Sequence, residues 1–522
     1  MAIQNVREIP VLIVGGSLVG MSTALLLGHH GVRALAVEHH RGTAIHPRAA
    51  QITQRTMEVF RTVGIEQIIR RKSEQQFVQD GAIMAVETLA GKELAWFISN
   101  LNEGIRDVSP TERVFISQSL LEPLLTAKAE ELGAELRFGT DMVSFEQDAT
   151  GVTAVLRHRD TGETETIRAS YMVAADGAHS RVRGQLGIGM RGRGAFSNSV
   201  TIYFRANVEP LLRGRNLSVI YVSNATLRGF LRFEKPFDSG FLAINALGDP
   251  KNPITDVSTG LTEERCLEWI RVALGDNDIP VTVDNVMPWK AEADVADRFR
   301  EGRVFLAGDS AHVMPPNGGF GGNTGVQDAH NLAWKLALVL SGSTGEGLLS
   351  SYESERRPVG EFTAEQAYSR YVTRTAPYLG TEGIQAVAND LDVEVGYCYG
   401  DPNGVHENPR ESRGRPGTRA PHVWLDEREG VSTLDRYGRH FVVLTGSVDK
   451  GWTEGASAIA QAFGIPVNVH TLDKAALCDA HGISSSGALL IRPDGFVGWR
   501  TKAAVKDPAA ELSAAMNAAL RR

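Results

Sequence analysis

Residues 11–20 read VLIVGGSLVG. The apolar run 9–14 has the pattern of a buried parallel strand, and it delivers the chain to a pair of glycines. A helical pattern follows from Gly15 to Gly31, with Leu18, Met21, Leu25 and Leu26 on one side. Residues 34–38 form a second apolar run that ends at Glu38, 23 positions after Gly15. Strand, glycine turn, helix and strand within about 30 residues make a βαβ unit, which commits the chain to a parallel sheet. Gly15 can make the tight turn, and Gly20 lets the helix lie close on the sheet. The amides at the helix start then face an anion. Ser17 stands where the middle glycine of G-x-G-x-x-G is expected; it is small, and its hydroxyl can donate to a phosphate. A carboxylate at Glu38 can accept the two hydroxyls of an adenosine ribose. Arg41 could meet the 2'-phosphate of NADP, but Glu38 would repel it. NAD and FAD share this half-site, so the unit alone does not choose between them.

Residues 187–192, GIGMRG, fit G-x-G-x-x-G letter for letter. They follow a short helical stretch, precede a β run and have Arg191 and Arg193 among them. A phosphate site needs the opposite flanks, so the segment is expected to be a flexible loop before an antiparallel strand.

At 522 residues the chain is too long for one ordinary core and predicts two or three domains. Net charge is −8, which lacks the basic excess that nucleic acid binding requires. Cys266, Cys398 and Cys478 lie far apart with no C-x-x-C, which supports neither a thiol redox pair nor a zinc knuckle and fits a reducing cytosol. The first apolar run is too short for a signal core or a membrane span, so the expectation is a cytoplasmic protein with no membrane or nucleic acid partner.

Helical patterns at 51–63 and 120–132 are followed by short β runs and by an apolar strand, 171–175, that ends at Asp176-Gly177. Residues 197–247 alternate as an antiparallel sheet, expected as a domain inserted in the first. A buried strand returns at 304–307, and helices are expected at 326–340 and 351–372. The Gly-, Pro-, Asn- and Arg-rich stretch 399–420 reads as a boundary before a small α/β unit. The expected organisation is α/β: a discontinuous Rossmann-like domain at 1–190 and 280–400, a substrate-binding β-sheet domain at 191–279 with further strands from 75–116, and a C-terminal domain at 401–522.

Residues 302–339, GRVFLAGDSAHVMPPNGGFGGNTGVQDAHNLAWKLALV, favour FAD. A strand ends at Gly308-Asp309, where a carboxylate can accept polyol hydroxyls. A loop with Pro315, Pro316, Gly318, Gly319, Gly321 and Gly322 then opens a helix near Thr324. Amides at a helix start carry partial positive charge and suit the negative N1–C2=O edge of a reduced flavin.

With VLIVGGSLVG and Glu38, VAADGAHSRVR at 173–183 and the GDSAH loop in order, the chain resembles the single-component FAD-dependent aromatic hydroxylases of the para-hydroxybenzoate hydroxylase superfamily. Within it the chain is most similar to the bacterial aromatic polyketide hydroxylases of the aklavinone and tetracenomycin hydroxylase kind. The resemblance covers nearly the whole chain. It implies that Gly15, Ser17, Gly20 and Glu38 hold the AMP half of FAD and that Arg48 lies near the pyrophosphate and flavin. Gln118 is implied as a further FAD contact. Asp176, Gly177 and Arg183 match a motif that handles both FAD and NADPH. Asp309 matches the ribityl-binding aspartate, and Pro316, Gly322, Asn323 and Thr324 would line the isoalloxazine. Ser17 departs from the glycine pattern, but small residues are tolerated there in similar chains. The C-terminal domain resembles a thioredoxin-like appendage lacking its C-x-x-C, with a structural or dimer-related role.

The resemblance implies that NADPH reduces FAD, that O2 adds at flavin C4a and that the hydroperoxide hydroxylates an electron-rich ring of a polycyclic phenol or quinone. A base or phenolate-stabilising group should line the pocket, and water must be kept out. Tyr221 and Arg370 are the candidate polar groups, and the inserted sheet would form the pocket floor. NADPH would bind transiently in a shared groove. A Baeyer–Villiger oxygenase or another FAD oxidoreductase on this scaffold is the alternative, and a non-enzymatic nucleotide-binding protein a further one. A homodimer is left open. His29-His30 and His39-His40 diverge as neighbours and do not form a metal site. His312 stands either near the flavin or packed under the loop, and Arg356-Arg357-Pro358 reads as a helix-face ion pair. There is no G-x-S-x-G or H-E-x-x-H to support a hydrolase.

Overall fold

The structure, a computed structural model, describes residues 6–45, 51–249, 251–401 and 404–522. Five parallel strands make the first sheet, in the order Val304–Leu306, Thr164–Ala174, Arg7–Val14, Ala34–Glu38, Glu135–Phe138. The short strand Arg300–Glu301 closes one edge, and the hairpin Thr140–Gln147 and Val152–His158 extends from Thr164–Ala174. Val11 to Ile13 are fully buried, as a strand at the middle of a parallel sheet requires.

The helix Leu18–His29 is covered all round rather than on one side. It is wedged between the helices Gln118–Glu131 and Phe320–Leu340, and even Ser22 and Thr23 are buried. Small residues make this approach workable. A Cβ on Gly20 would lie 1.8 Å from the Gly15 carbonyl oxygen, and one on Gly325 would lie 2.5 Å from Val19 Cγ2 and 2.9 Å from Gly308 Cα.

The second sheet has eight strands in the order His312–Val313, Thr282–Ala296, Met190–Arg205, Ser239–Leu247, Leu227–Glu234, Leu217–Ser223, Ala82–Val86, Glu93–Ile98. All neighbours are antiparallel except Leu217–Ser223 with Ala82–Val86. Residues 282–296, which the sequence assigned to the Rossmann-like unit, therefore pair in this sheet, because their longest partner is Met190–Arg205. Gly187 makes a left-handed turn, and Met190 to Gly192 already belong to the strand, so half of GIGMRG is sheet rather than flexible loop.

The C-terminal sheet runs Val467–Leu472, Phe441–Gly446, Ala488–Ile491, Val497–Thr501, with the first pair parallel and the others antiparallel. Helices Trp452–Phe463 and Pro508–Ala519 pack together over it, an arrangement consistent with a thioredoxin-like domain. It docks on the first unit through a buried polar network. Arg492 pairs with Glu355 at 2.7 Å, Lys335 reaches the same carboxylate at 2.7 Å, and Trp334 Nε1 donates to Asp494 at 3.2 Å. Burial opposes ionisation of Glu355, but the Arg492 and Lys335 cations outweigh it and hold its carboxyl well below the usual range. Burial pulls Lys335 down to about 8. No described helix is long and apolar enough to cross a membrane.

Candidate functional site

A single cleft of about 2060 Å³ runs from the end of the first sheet to the face of the second. At one end Gly15 turns with φ +106°, in the left-handed region, and donates its N–H to the Val37 carbonyl at 2.9 Å. A Cβ there would meet the Ala175 carbonyl oxygen at 2.2 Å, so the cradle is shaped for a residue without a side chain. Glu38 lies at the end of the neighbouring strand. Its Oε2 accepts from Gly16 N at 2.6 Å and its Oε1 from His40 N at 2.8 Å.

The Ser17 hydroxyl donates to Glu122 Oε1 at 2.6 Å, and Gln118 Nε2 donates to both at 2.6 Å. The Ser17 proton is therefore committed to a carboxylate and not free for a phosphate, which corrects the sequence expectation. Its backbone amide at the helix start is unaffected. Glu122, which the sequence did not single out, is buried and also accepts from Ala44 N at 2.7 Å. Arg41 pairs with Asp160 at 2.5 Å.

Asp176 and Gly177 line the middle of the cleft. Asp176 accepts from Ser180 Oγ at 2.6 Å and Val182 N at 3.1 Å and so fixes the turn after the central strand. Arg183 is not a cleft residue. Its guanidinium donates to the Ser310 carbonyl at 3.0 Å and the Ala178 carbonyl at 2.9 Å, which ties this turn to the Gly308–Ser310 turn.

That second turn presents Asp309 to the cleft and rests on a buried carboxylate. Asp328 Oδ2 accepts from Gly308 N at 3.1 Å and meets His312 Nε2 at 2.7 Å, and its Oδ1 accepts from Arg356 Nε at 2.7 Å. Asp328, His312 and Arg356 have no exposed surface. Burial alone would raise the Asp328 pKa, but Arg356 and His312 hold it below the usual range. His312 is thus packed beneath the loop, and Arg356 is a buried strut rather than part of a surface helix-face pair; its neighbour Arg357 makes that pair, with Glu361 at 3.1 Å.

Helix Phe320–Leu340 starts earlier than expected, four residues before Thr324 and six before Val326, after Gly319 in the left-handed conformation at φ +68°. The first amides of a helix have no partner within it, and Gly321 and Gly322 leave them uncovered toward the cleft. Asn323 lines the cleft as well. Its Nδ2 donates to the Gly319 and Gln51 carbonyls at 2.7 and 2.9 Å, and its Oδ1 accepts from Thr53 N at 2.9 Å. Thr324 does not line the cleft: it is buried, and its hydroxyl donates back to the Phe320 carbonyl.

The far wall is one face of the second sheet, with Tyr221, Phe230, Arg232, Phe241 and Tyr203. Asn317 Nδ2 approaches the Tyr221 hydroxyl at 3.5 Å and donates to Thr375 Oγ1 at 3.1 Å. Arg370, the other sequence candidate, does not face the cleft. It is fully buried, pairs with Asp390 at 2.7 Å and donates to Gln366 Oε1 at 2.8 Å. One turn along the same helix, Arg374 does line it, as does Asp390.

The cleft thus collects Gly15, Ser17, Glu38, Gln118, Asp176, Gly177, Tyr221, Asp309, Pro316, Gly322 and Asn323. Gly20, Arg183, Thr324 and Arg370 serve the packing behind it. Arg48 lies outside the described residues. Elsewhere, Cys398, Asp401 and Glu407 come within ligand distance of one another, but the Arg415 guanidinium already pairs with both carboxylates.

The donor set fits FAD. A glycine turn and helix start suit a pyrophosphate, Glu38 retains acceptor capacity for a ribose, Asp309 suits a polyol, and the open amides at Gly321 and Gly322 suit a flavin edge.

Comparison with known proteins agrees. The FAD binding domain family matches residues 8–367, and the aromatic-ring hydroxylase C-terminal family matches residues 413–522. A 4-methyl-5-nitrocatechol 5-monooxygenase of Burkholderia sp is 50% identical, with 99% of this chain and 98% of that protein covered. A tetracenomycin A2 monooxygenase-dioxygenase of Streptomyces glaucescens is 38% identical over 99% and 98%. The crystal structure of aklavinone-11 hydroxylase in a ternary complex with FAD and aklavinone superposes with a TM-score of 0.90 at 34% identity, covering 99% of this chain and all of that one. With both family matches in register on the two parts of the fold, the chain belongs to the FAD-dependent aromatic-ring hydroxylases.

Proposed function

We propose that the protein is an NAD(P)H- and O2-dependent monooxygenase that hydroxylates a phenol or quinone of the polycyclic, polyketide type. The observation that carries this is the continuity of the cleft. A single small-ligand pocket measures about 300–1,000 Å³, whereas this cleft is about 2060 Å³ and joins the dinucleotide cradle to an aromatic wall. It has room for a cofactor and a large planar guest side by side.

When bound, FAD supplies the activation of O2 with electrons taken from the nicotinamide. The protein's own part is to hold and to exclude. Gly15, Glu38, Gln118 and Asp309 would hold the cofactor, with the Gly321 and Gly322 amides stabilising negative charge at its edge. Asp176 would serve the cofactor and the nicotinamide donor in the same groove. Phe230, Phe241 and Tyr203 would clamp the substrate ring and keep water from it. The Tyr221 hydroxyl, which Asn317 approaches, would hydrogen-bond a substrate oxygen, and Arg374 would offset charge that develops on the ring substituents. Arg370 acts as a positioning residue that holds Asp390. The same reading puts the protein in the cytosol, where its three free cysteines stay reduced.

A second reading is favoured by the 50% identity to the nitrocatechol monooxygenase: a smaller, electron-poor catechol as substrate. Both are tested by NADPH oxidation with holoprotein and a panel of polycyclic phenols and nitrocatechols, scored by mass spectrometry. A polycyclic substrate should gain the mass of one oxygen atom. Attack at a nitro-bearing carbon should release nitrite instead. Stimulation by neither class, with all reducing equivalents recovered as H2O2, would overturn both.

A further inference from the structure

The cleft wall contains a buried cation with no ion-pair partner among the described residues. Arg232 lies on the strand Leu227–Glu234 between Phe230 and Glu234, and only 6% of it is exposed. Its guanidinium carbon sits 4.0 Å from the ring centre of Phe115 and 4.4 Å from that of Phe77. Two aromatic rings therefore fix its plane. Nε and Nη2 have no hydrogen-bond partner among the described residues. The nearest acid, Glu234, accepts instead from Gln76 Nε2 at 3.1 Å. Burial pulls the pKa of Arg232 down to about 9, so the group is still a cation at neutral pH.

Leaving a buried cation unpaired is costly, and such groups are ordinarily matched by a carboxylate or replaced by an apolar residue. Neither has happened here, and the group lines the cleft on the same face as Tyr221, Phe230 and Phe241. A planar cation beside an aromatic wall, with no carboxylate on it, is suited to receive an anionic oxygen on a flat ring. Cation–π contact with Phe77 and Phe115 supplies about 1–2 kcal/mol, which offsets part of the burial cost without using the N–H donors.

We propose that Arg232 binds the ionised ring oxygen, phenolate or catecholate, of the aromatic substrate and so selects substrates that carry one. This rests on the hydroxylase reading above and adds a residue and a charge state to it. Ionisation raises the electron density of the ring, so a residue that captures the anion also selects the reactive form of the substrate.

The test uses 4-nitrocatechol as probe, because its colour reports its ionisation. With wild-type holoprotein at fixed neutral pH, bound probe should show the spectrum of the anion. Its fully O-methylated analogue, which cannot ionise, should bind at least about tenfold more weakly. Arg232→Met should weaken probe binding on the order of tenfold to a hundredfold and return the bound spectrum toward the neutral form, with FAD content unchanged. Arg232→Lys should recover part of both. Equal binding of probe and methylated analogue by the wild type overturns the proposal even if the variants fail to fold. So does an anion spectrum that survives in Arg232→Met, or loss of FAD on substitution, which would assign Arg232 to the cofactor. Turnover is measured separately: anion capture without hydroxylation of any phenol would refute the hydroxylase reading while leaving Arg232 as an anion site.

Discussion

Replacing Asp328 by asparagine removes one buried charge from beneath the Gly308–Ser310 turn and keeps the side chain's shape. The wild-type carboxylate serves three donors: Gly308 N, His312 Nε2 and Arg356 Nε. Asparagine offers one oxygen and turns an NH2 group toward the others. His312 can adapt by changing tautomer, since its Nδ1 has no partner among the described residues. Gly308 and Arg356 must then compete for one acceptor, and Arg356 keeps only the Thr324 carbonyl at 3.1 Å and the Tyr399 hydroxyl at 3.3 Å. Breaking a buried ion pair from one side costs about 3–5 kcal/mol. With an unfolding entropy of about 2.1 cal/mol/K per residue and a cooperative unit of roughly 400 residues, that lowers the melting temperature by about 4–6 °C. Loss of the Gly308 hydrogen bond loosens the turn that presents Asp309 and should weaken FAD binding about five- to tenfold. Differential scanning calorimetry of the holoprotein and fluorescence titration of apoprotein with FAD measure the two effects. Arg356→Met separates them, because Asp328 keeps Gly308 and His312: melting should fall while FAD affinity stays near wild type. A D328N protein that melts within about 1 °C of wild type and binds FAD equally well would refute the strut.

Gly20→Ala places a methyl 1.8 Å from the Gly15 carbonyl, so it should yield folded protein that purifies with little FAD, read from the flavin absorbance. Arg374→Met should raise the KM for substrate at constant FAD content. Arg370→Met strands Asp390 and should instead lower stability by about 3 kcal/mol, seen in the melt rather than in KM. On acidification, Glu355 and Asp328 have folded-state pKa values below their unfolded ones. Their contribution is complete above about pH 4.5 and is lost as pH falls through the folded values. Trp334 fluorescence should therefore report undocking of the C-terminal domain only below about pH 4, and Glu355→Gln should weaken that docking at neutral pH.

The sequence carried the cofactor half of the site further than the substrate half, for a physical reason. The dinucleotide cradle is built from contiguous residues whose backbone chemistry is written locally: a strand, a glycine that alone tolerates φ +106°, and an acid at the next strand end. Asp309 and Asp176 were legible likewise, each at the end of an apolar run. The helix starts four to six residues before the sequence expectation because its cap is the left-handed Gly319 and its first turn holds two glycines, which helix propensity argues against. The wall around the substrate is assembled from strands far apart in sequence. Ala82–Val86 runs beside Leu217–Ser223, and no local pattern encodes that register.

The arginines make the point most directly. Arg370 and Arg374 are four residues apart on one helix and share a face, yet the rim of the cleft passes between them, so one pairs with Asp390 and the other lines the cavity. Arg232 sits in an alternating strand like any other, and only the packing of Phe77 and Phe115 around it, with Glu234 turned to Gln76, leaves its charge uncompensated. On the proposal made for Arg232, substrate charge preference would follow from a buried cation that the tertiary fold leaves without an ion-pair partner. Substituting Glu234 by Gln should leave the anion preference in place, whereas an acid introduced beside Arg232, such as Phe230→Glu, should abolish it by filling the site from within.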